Sequence, residues 1–122
     1  MRKLLICNLL FLVLVGCAPA INTNPTAKSI LKEHSQADIL QYNQLIYINA
    51  TNLEWIKKVE YNKSEKIGEI VKTTSSSKNF KDFYATKLKS GTEIFSTNDH
   101  DIHIIMVESE GQQLLYTVLL EG

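Results

Sequence analysis

The chain has 122 residues, 44% of them hydrophobic, with thirteen basic and thirteen acidic side chains and a formal net charge of zero. That length holds one hydrophobic core and not two. The balanced charge lacks the basic footprint of a nucleic-acid binder, and the mixed, partly aromatic composition separates the chain from intrinsically disordered sequences.

Met1, Arg2 and Lys3 make a short positive start, followed by LLICNLLFLVLV at residues 4–15, apolar except for Asn8. A charged stretch, an apolar run and then small residues is the three-part layout of an export signal. The run is twelve residues long, and a helix needs roughly 20 to cross a bilayer, so a retained transmembrane helix fits less well. A buried core helix fits less well still, because it would show a polar face. The run ends in Leu14-Val15-Gly16-Cys17. This resembles the lipobox of bacterial lipoproteins, with a branched apolar residue three before the cysteine and a small one just before it. The resemblance implies that a diacylglyceryl group (with palmitate-type acyl chains) alkylates the Cys17 thiol, and that residues 1–16 are removed as a signal peptide by cleavage between Gly16 and Cys17. A thiol is the side chain nucleophilic enough for that transfer. Cys7, the only possible partner for a disulfide, leaves with the signal. Loss of Arg2 and Lys3 leaves eleven basic residues, all lysine, against thirteen acidic ones. A chain without arginine lacks the usual bidentate reader of phosphate and guanine, which argues again against a nucleic-acid partner. The expected location is the outer, extracytoplasmic face of the cell membrane of a Gram-positive bacterium, with the lipid as the membrane contact.

Residues 17–36 are expected to form the lipidated cysteine and a flexible tether, since Pro19 and Pro25 bracket a polar Asn/Thr stretch without apolar period. Nineteen extended residues reach about 65 Å. One helical turn is conceivable over Ser29 to His34. Residues 37–122 are expected to form a single small β-rich domain. Asp38–Gln41 and Leu45–Asn49 read as strands joined by a turn at Tyr42-Asn43-Gln44, asparagine suiting the positive φ such turns need. Thr51 with Glu54 fits a capping box, or Asn52 caps, ahead of a helix of two to three turns with Trp55, Ile56 and Val59 on one face. Lys66–Thr73 reads as a strand in which Gly68 marks a bulge or a close backbone approach. Residues 74–79 are a polar loop. Phe80–Leu88 is extended in part, and Ser90-Gly91 turns into a strand at Thr92–Ser96. Ile102–Glu108 and Gln112–Leu120 carry the strongest signals, joined by Glu110-Gly111. Successive apolar residues at 104–107 mean burial on both faces and hence central strands. The expected fold is mainly β or α+β: a compact antiparallel sheet or small barrel of five to seven strands with one short helix.

One cluster has metal-ligand types. On a strand, Asp99, Asp101 and His103 share a face, and carboxylates with imidazole suit zinc or a similar divalent ion. The same residues also write an ordinary solvated turn, with Asx side chains bonding their own backbone. No serine sits in a G-x-S-x-G elbow, no thiol is left free, and the glycines are too isolated to cradle a phosphate. No cofactor and no catalytic residues are assigned, and the chain is not expected to be an enzyme. Among the aromatics, Tyr47 and Trp55 are expected in the core. Phe83 and Tyr84, beside the serine loop, are the surface candidates for interaction.

The segments ADILQYNQLIYINATNLEWI, EKIGEIVKTTSSSKNFKDFYATKLKSGTEIF and LLYTVLLEG resemble a group of small lipoproteins of low-GC Gram-positive bacteria of Bacillus type. The Ile-Gly-Glu-Ile and Ala-Thr-Lys-Leu…Gly-Thr-Glu-Ile-Phe pieces carry most of that likeness. The Tyr-Asn-x-x-Ile-Tyr hairpin, followed by a helix and an Ile-Gly-Glu strand, is similar to lantibiotic immunity lipoproteins, which are lipid-anchored β-rich domains that protect the producing cell. The function expected is a membrane-anchored, non-catalytic interaction module whose partner is an envelope protein or a peptide. The alternatives are a lipid-anchored metal or small-ligand binder and an immunity lipoprotein.

Overall fold

The computed structural model describes residues 24–100 and 102–121. They form one mainly β unit. In chain order the elements are α1 (Ala27–Glu33), β1 (Ile39–Tyr42), β2 (Leu45–Asn49), α2 (Glu54–Lys57), β3 (Lys63–Glu69), β4 (Lys72–Thr73), β5 (Tyr84–Ala85), β6 (Glu93–Thr97), β7 (Ile104–Ser109) and β8 (Gln112–Val118). The eight strands make a single sheet in the order β3-β6-β7-β8-β2-β1-β5-β4. Every neighbouring pair is antiparallel except β4 with β5.

Two hairpins are set by turn chemistry. Tyr42 faces Leu45 across a two-residue loop in which Asn43 and Gln44 have φ of 53° and 64°. Ser109 faces Gln112 across Glu110 and Gly111, at 50° and 79°. Two successive left-handed residues give the turn whose twist matches that of the flanking strands.

The sheet curls, and one bent strand shows why. β3 and β4 lie at opposite edges of the order, yet only Ile70 and Val71 separate them. The Ile70 N–H donates to Thr92 O at 2.8 Å, continuing the pairing with β6, and the Val71 N–H donates to Phe83 O at 2.8 Å, starting the pairing with β5. The two edges are therefore brought around to a shared segment. Inside the curl sit Leu40, Tyr47, Ile70, Ala85, Leu88, Ile94, Ile105, Val107 and Tyr116, all buried. The sequence alternates accordingly. Ile105 and Val107 of β7 point in, while Ile104 packs outward with Ala50 and Ile56 of the α2 region. β7 and β8 are central, as the unbroken apolar run of β7 requires.

Several expectations change in detail. There are eight strands rather than five to seven, and two described helices rather than one. The additional strands are two residues long, too short to leave a pattern. The expected strand Lys66–Thr73 divides into β3 and β4 at the bend. Of the stretch expected as a tether, residues 24–36 are described, and Ala27–Glu33 of them form α1. Thr26 and Ser29 form a reciprocal capping box, with Ser29 N–H donating to Thr26 Oγ1 at 3.1 Å and Thr26 N–H to Ser29 Oγ at 3.0 Å. The helix they start lays Ala27, Ile30 and Leu31 over Ile39 and Ile46 on the outer face of the β1–β2 hairpin. Packing thus begins about ten residues before Ala37. α2 is a single turn. Thr51 does not cap it, because its hydroxyl donates to Asn49 Oδ1 at 2.7 Å and accepts the Leu115 N–H at 3.0 Å; Leu53 holds the cap position without a side-chain bond.

Candidate functional site

Only Ile56 of α2 reaches the sheet, where it is buried against Ala50 and Ile104. A one-turn helix cannot bury a wider face, so Trp55 in the helix and Val59 just beyond it are left in solvent at 53% and 50% exposure. The expectation of Trp55 in the core is therefore wrong, whereas Tyr47 is buried as expected. Trp55 and Val59 form one wall of a groove of about 530 Å³. Ile104, Thr117 and Val118 line it as well, Tyr61 flanks it, and Leu120, 48% exposed, adds a further apolar edge. Asn98, Asp99 and His103, from the β6–β7 loop, supply its polar side. A smaller hollow of about 190 Å³, lined in part by Tyr42, Tyr47 and Ile102, shares His103, Val118 and Leu120 with the groove.

The β6–β7 loop is held by its own side chains. Asp99 Oδ2 accepts the backbone N–H of His103 at 3.0 Å and of Ile104 at 3.1 Å. Thr97 Oγ1 donates to Ile104 O at 2.9 Å and accepts the Asp99 N–H at 3.1 Å. Asn98 ties the loop to the segment after α2, accepting the Asn62 N–H at 3.0 Å and donating to Glu60 O at 3.1 Å. From the interior, the Tyr47 hydroxyl donates to Ile102 O at 2.9 Å. Burial, with smaller contributions from Tyr42 and Asp99, leaves that phenol pushed up to about 12. It is a neutral donor that fixes the loop.

Asp99 and His103 therefore lie in a loop and not on a strand, with Ile102 between them at a φ of 56°. The Asp99 carboxylate is turned onto the backbone N–H groups four and five residues on and so closes the loop. Asp101 falls outside the described residues, as do Gly16 and Cys17. Among the described residues no group of three or more His, Cys, Asp and Glu side chains is placed to hold a metal ion. Among them, too, no helix is long and apolar enough to cross a membrane.

Phe83 and Tyr84 are not part of the groove. Phe83 has a φ of 69°, and its N–H donates to Gln41 O at 2.7 Å. Its ring lies 5.8 Å from that of Tyr42 and covers Gly68 so closely that a Cβ built there would sit 2.4 Å from Phe83 Cε1. The ring seals the seam between β3 and β5, which explains the glycine. Tyr84 packs edge-on against Phe80 at 5.8 Å. The groove draws on residues 55–61, 98–104 and 117–120, and the only local signal for it was an aromatic residue in a segment too short to bury it. Neither a family model, nor a curated protein, nor a solved structure matches the chain.

Proposed function

We propose that the protein is a lipid-anchored module of the outer face of a bacterial cell membrane that acts by contact, through the groove beside α2, and not by catalysis. The observation that carries this reading is the grouping of Trp55, Val59 and Leu120, each about half exposed, around one groove. Scattered apolar surface residues are ordinary, but several gathered at a concave site with a polar rim mark an interaction surface. The anchoring half of the reading rests on the positive start, the twelve-residue apolar run and Leu14-Val15-Gly16-Cys17. Groups in contact with the groove need no reactive side chain, because tryptophan offers large area at low entropic cost.

Two measurements test the two halves. Mass spectrometry of protein extracted from membranes should find an N-terminal peptide beginning at lipid-modified Cys17, and Cys17→Ser should release the protein from the membrane fraction. An intact Met1 or an unmodified Cys17 would refute the anchor. A photoreactive residue in place of Val59, irradiated in membranes, should give a discrete adduct that the same residue in place of Ser76 does not. Equal labelling from both positions would remove the groove as the contact surface.

A further inference from the structure

The segment of chain between the anchor and the folded unit is much shorter than composition implies. Helix α1 packs on the sheet, and the Glu121 N–H donates to Asn24 Oδ1 at 3.1 Å. Seven residue steps separate Cys17 from Asn24, a span of at most about 24 Å. Asn24 is thus bonded to the residue that follows Leu120, and Leu120 is an edge of the groove. Leu119 packs under α1 on the one side, while Leu120 turns to the groove on the other.

Three of the five large apolar side chains exposed among the described residues, Trp55, Val59 and Leu120, line this groove. Lys57 and Lys58 are exposed between Trp55 and Val59, with Glu54 and Glu60 at the two ends of the segment. Tryptophan and lysine together suit the boundary between acyl chains and headgroups. The indole ring sits at that depth, and the lysine stems lie along apolar surface with their ammonium groups among the phosphates. A diacylglyceryl group carries two acyl chains and holds the protein by itself, so a contact through the groove would set how the domain lies on the membrane and not whether it stays there.

We infer that the partner of the groove is the bilayer surface itself: Trp55, Val59 and Leu120 settle into the headgroup boundary beside the lipidated Cys17, with Lys57 and Lys58 on lipid phosphates. The domain then lies flat on the membrane instead of standing off it. This rests on the lipid-anchored reading above.

Trp55 is the only tryptophan in the chain, so its fluorescence reports the contact directly. Full-length lipidated protein is reconstituted into vesicles of phosphatidylcholine and phosphatidylglycerol. Vesicle flotation and the mass of the Cys17 peptide establish the anchor independently. The expected result is a blue-shifted Trp55 emission, lost to lipids carrying a nitroxide at a shallow acyl position and protected from aqueous iodide. Val59→Asp with Leu120→Asp, both at exposed positions, should return the emission to its value in water while the protein still floats. Protein that floats but keeps Trp55 open to iodide and insensitive to nitroxide lipid overturns the inference and leaves the anchor standing. Protection from iodide without nitroxide quenching also overturns it, in favour of a second copy of the chain covering the groove. Protein that does not float overturns the anchor, and the inference with it.

Discussion

The Tyr116 hydroxyl donates a 2.7 Å hydrogen bond to Asp38 Oδ1, joining residues 78 apart in sequence. Asp38 Oδ2 accepts the Asn49 side-chain amide at 2.9 Å, so one carboxylate links β8, the residue preceding β1 and the end of β2. Tyr116 is completely buried. Burial first, and then the adjacent carboxylate, hold its phenol protonated well above the usual tyrosine range. Tyr116→Phe should lower unfolding free energy by about 1.5–3 kcal/mol, the range for a hydrogen bond to a charged group. Asp38→Ala should cost at least as much, because it leaves a buried hydroxyl and an amide without their acceptor. Urea unfolding measures both, and a neutral Tyr116→Phe would show that the bond is not coupled to stability.

Alkaline stability should depend on Tyr47. Its pKa is pushed up to about 12 in the folded protein, and an unfolded tyrosine ionises near 10. The folded state therefore binds the proton more tightly. The stabilisation is complete below pH 10 and is lost as pH rises from about 10 to 12, at about 1.4 kcal/mol per pH unit for each such tyrosine. Tyr47→Phe should flatten the urea midpoint over that window by one proton relative to the parent protein, with Tyr116 still contributing. An unchanged slope would mean that Tyr47 ionises freely while folded.

Gly68→Ala should destabilise through a single neighbour. The added methyl group would meet Phe83 Cε1 at 2.4 Å and Cζ at 2.7 Å, and the ring cannot easily retreat because Tyr42 packs beside it. Overpacking of this kind costs about 1–3 kcal/mol. In a Phe83→Ala background the same change should cost far less, and that non-additivity, read from the four unfolding curves, is the test. Additive effects would place the strain elsewhere.

Helix α1 should behave as part of the domain. A chain begun at Ala37 exposes Ile39 and Ile46, which are 0% and 1% accessible with the helix in place. Exposing them should lower Tm by at least roughly 10 °C relative to a chain begun at Asn24. Equal Tm values would mean that α1 merely rests on the sheet.

The central sheet was legible because its signals are local. Four apolar residues in succession at 104–107 mark a strand buried on both faces, and Asn43-Gln44 and Glu110-Gly111 write their turns. Gly68 announced a close approach without naming Phe83 as its cause. α1 was obscured because seven residues with two prolines shortly before them carry little apolar period, and because the face they cover belongs to strands that also feed the interior. Thr51 looked like a helix cap, yet its hydroxyl is engaged by Leu115, a partner 64 residues away. The same shortening of α2 moved Trp55 from an expected core position to the groove. The groove itself was invisible, since only tertiary structure brings 55–61, 98–104 and 117–120 together.

The strand order also constrains how the protein acquires its structure. β8 is made after every other strand, yet it lies between β7 and β2 and pairs with both. Until it arrives, β3-β6-β7 and β2-β1-β5-β4 are two parts of a sheet joined only at the bend of Ile70 and Val71, with no strand between β7 and β2. The sheet is therefore not continuous until its last strand has been made. Its cooperativity is written into its topology, and a chain interrupted before Gln112 should remain open, protease-sensitive and without a groove.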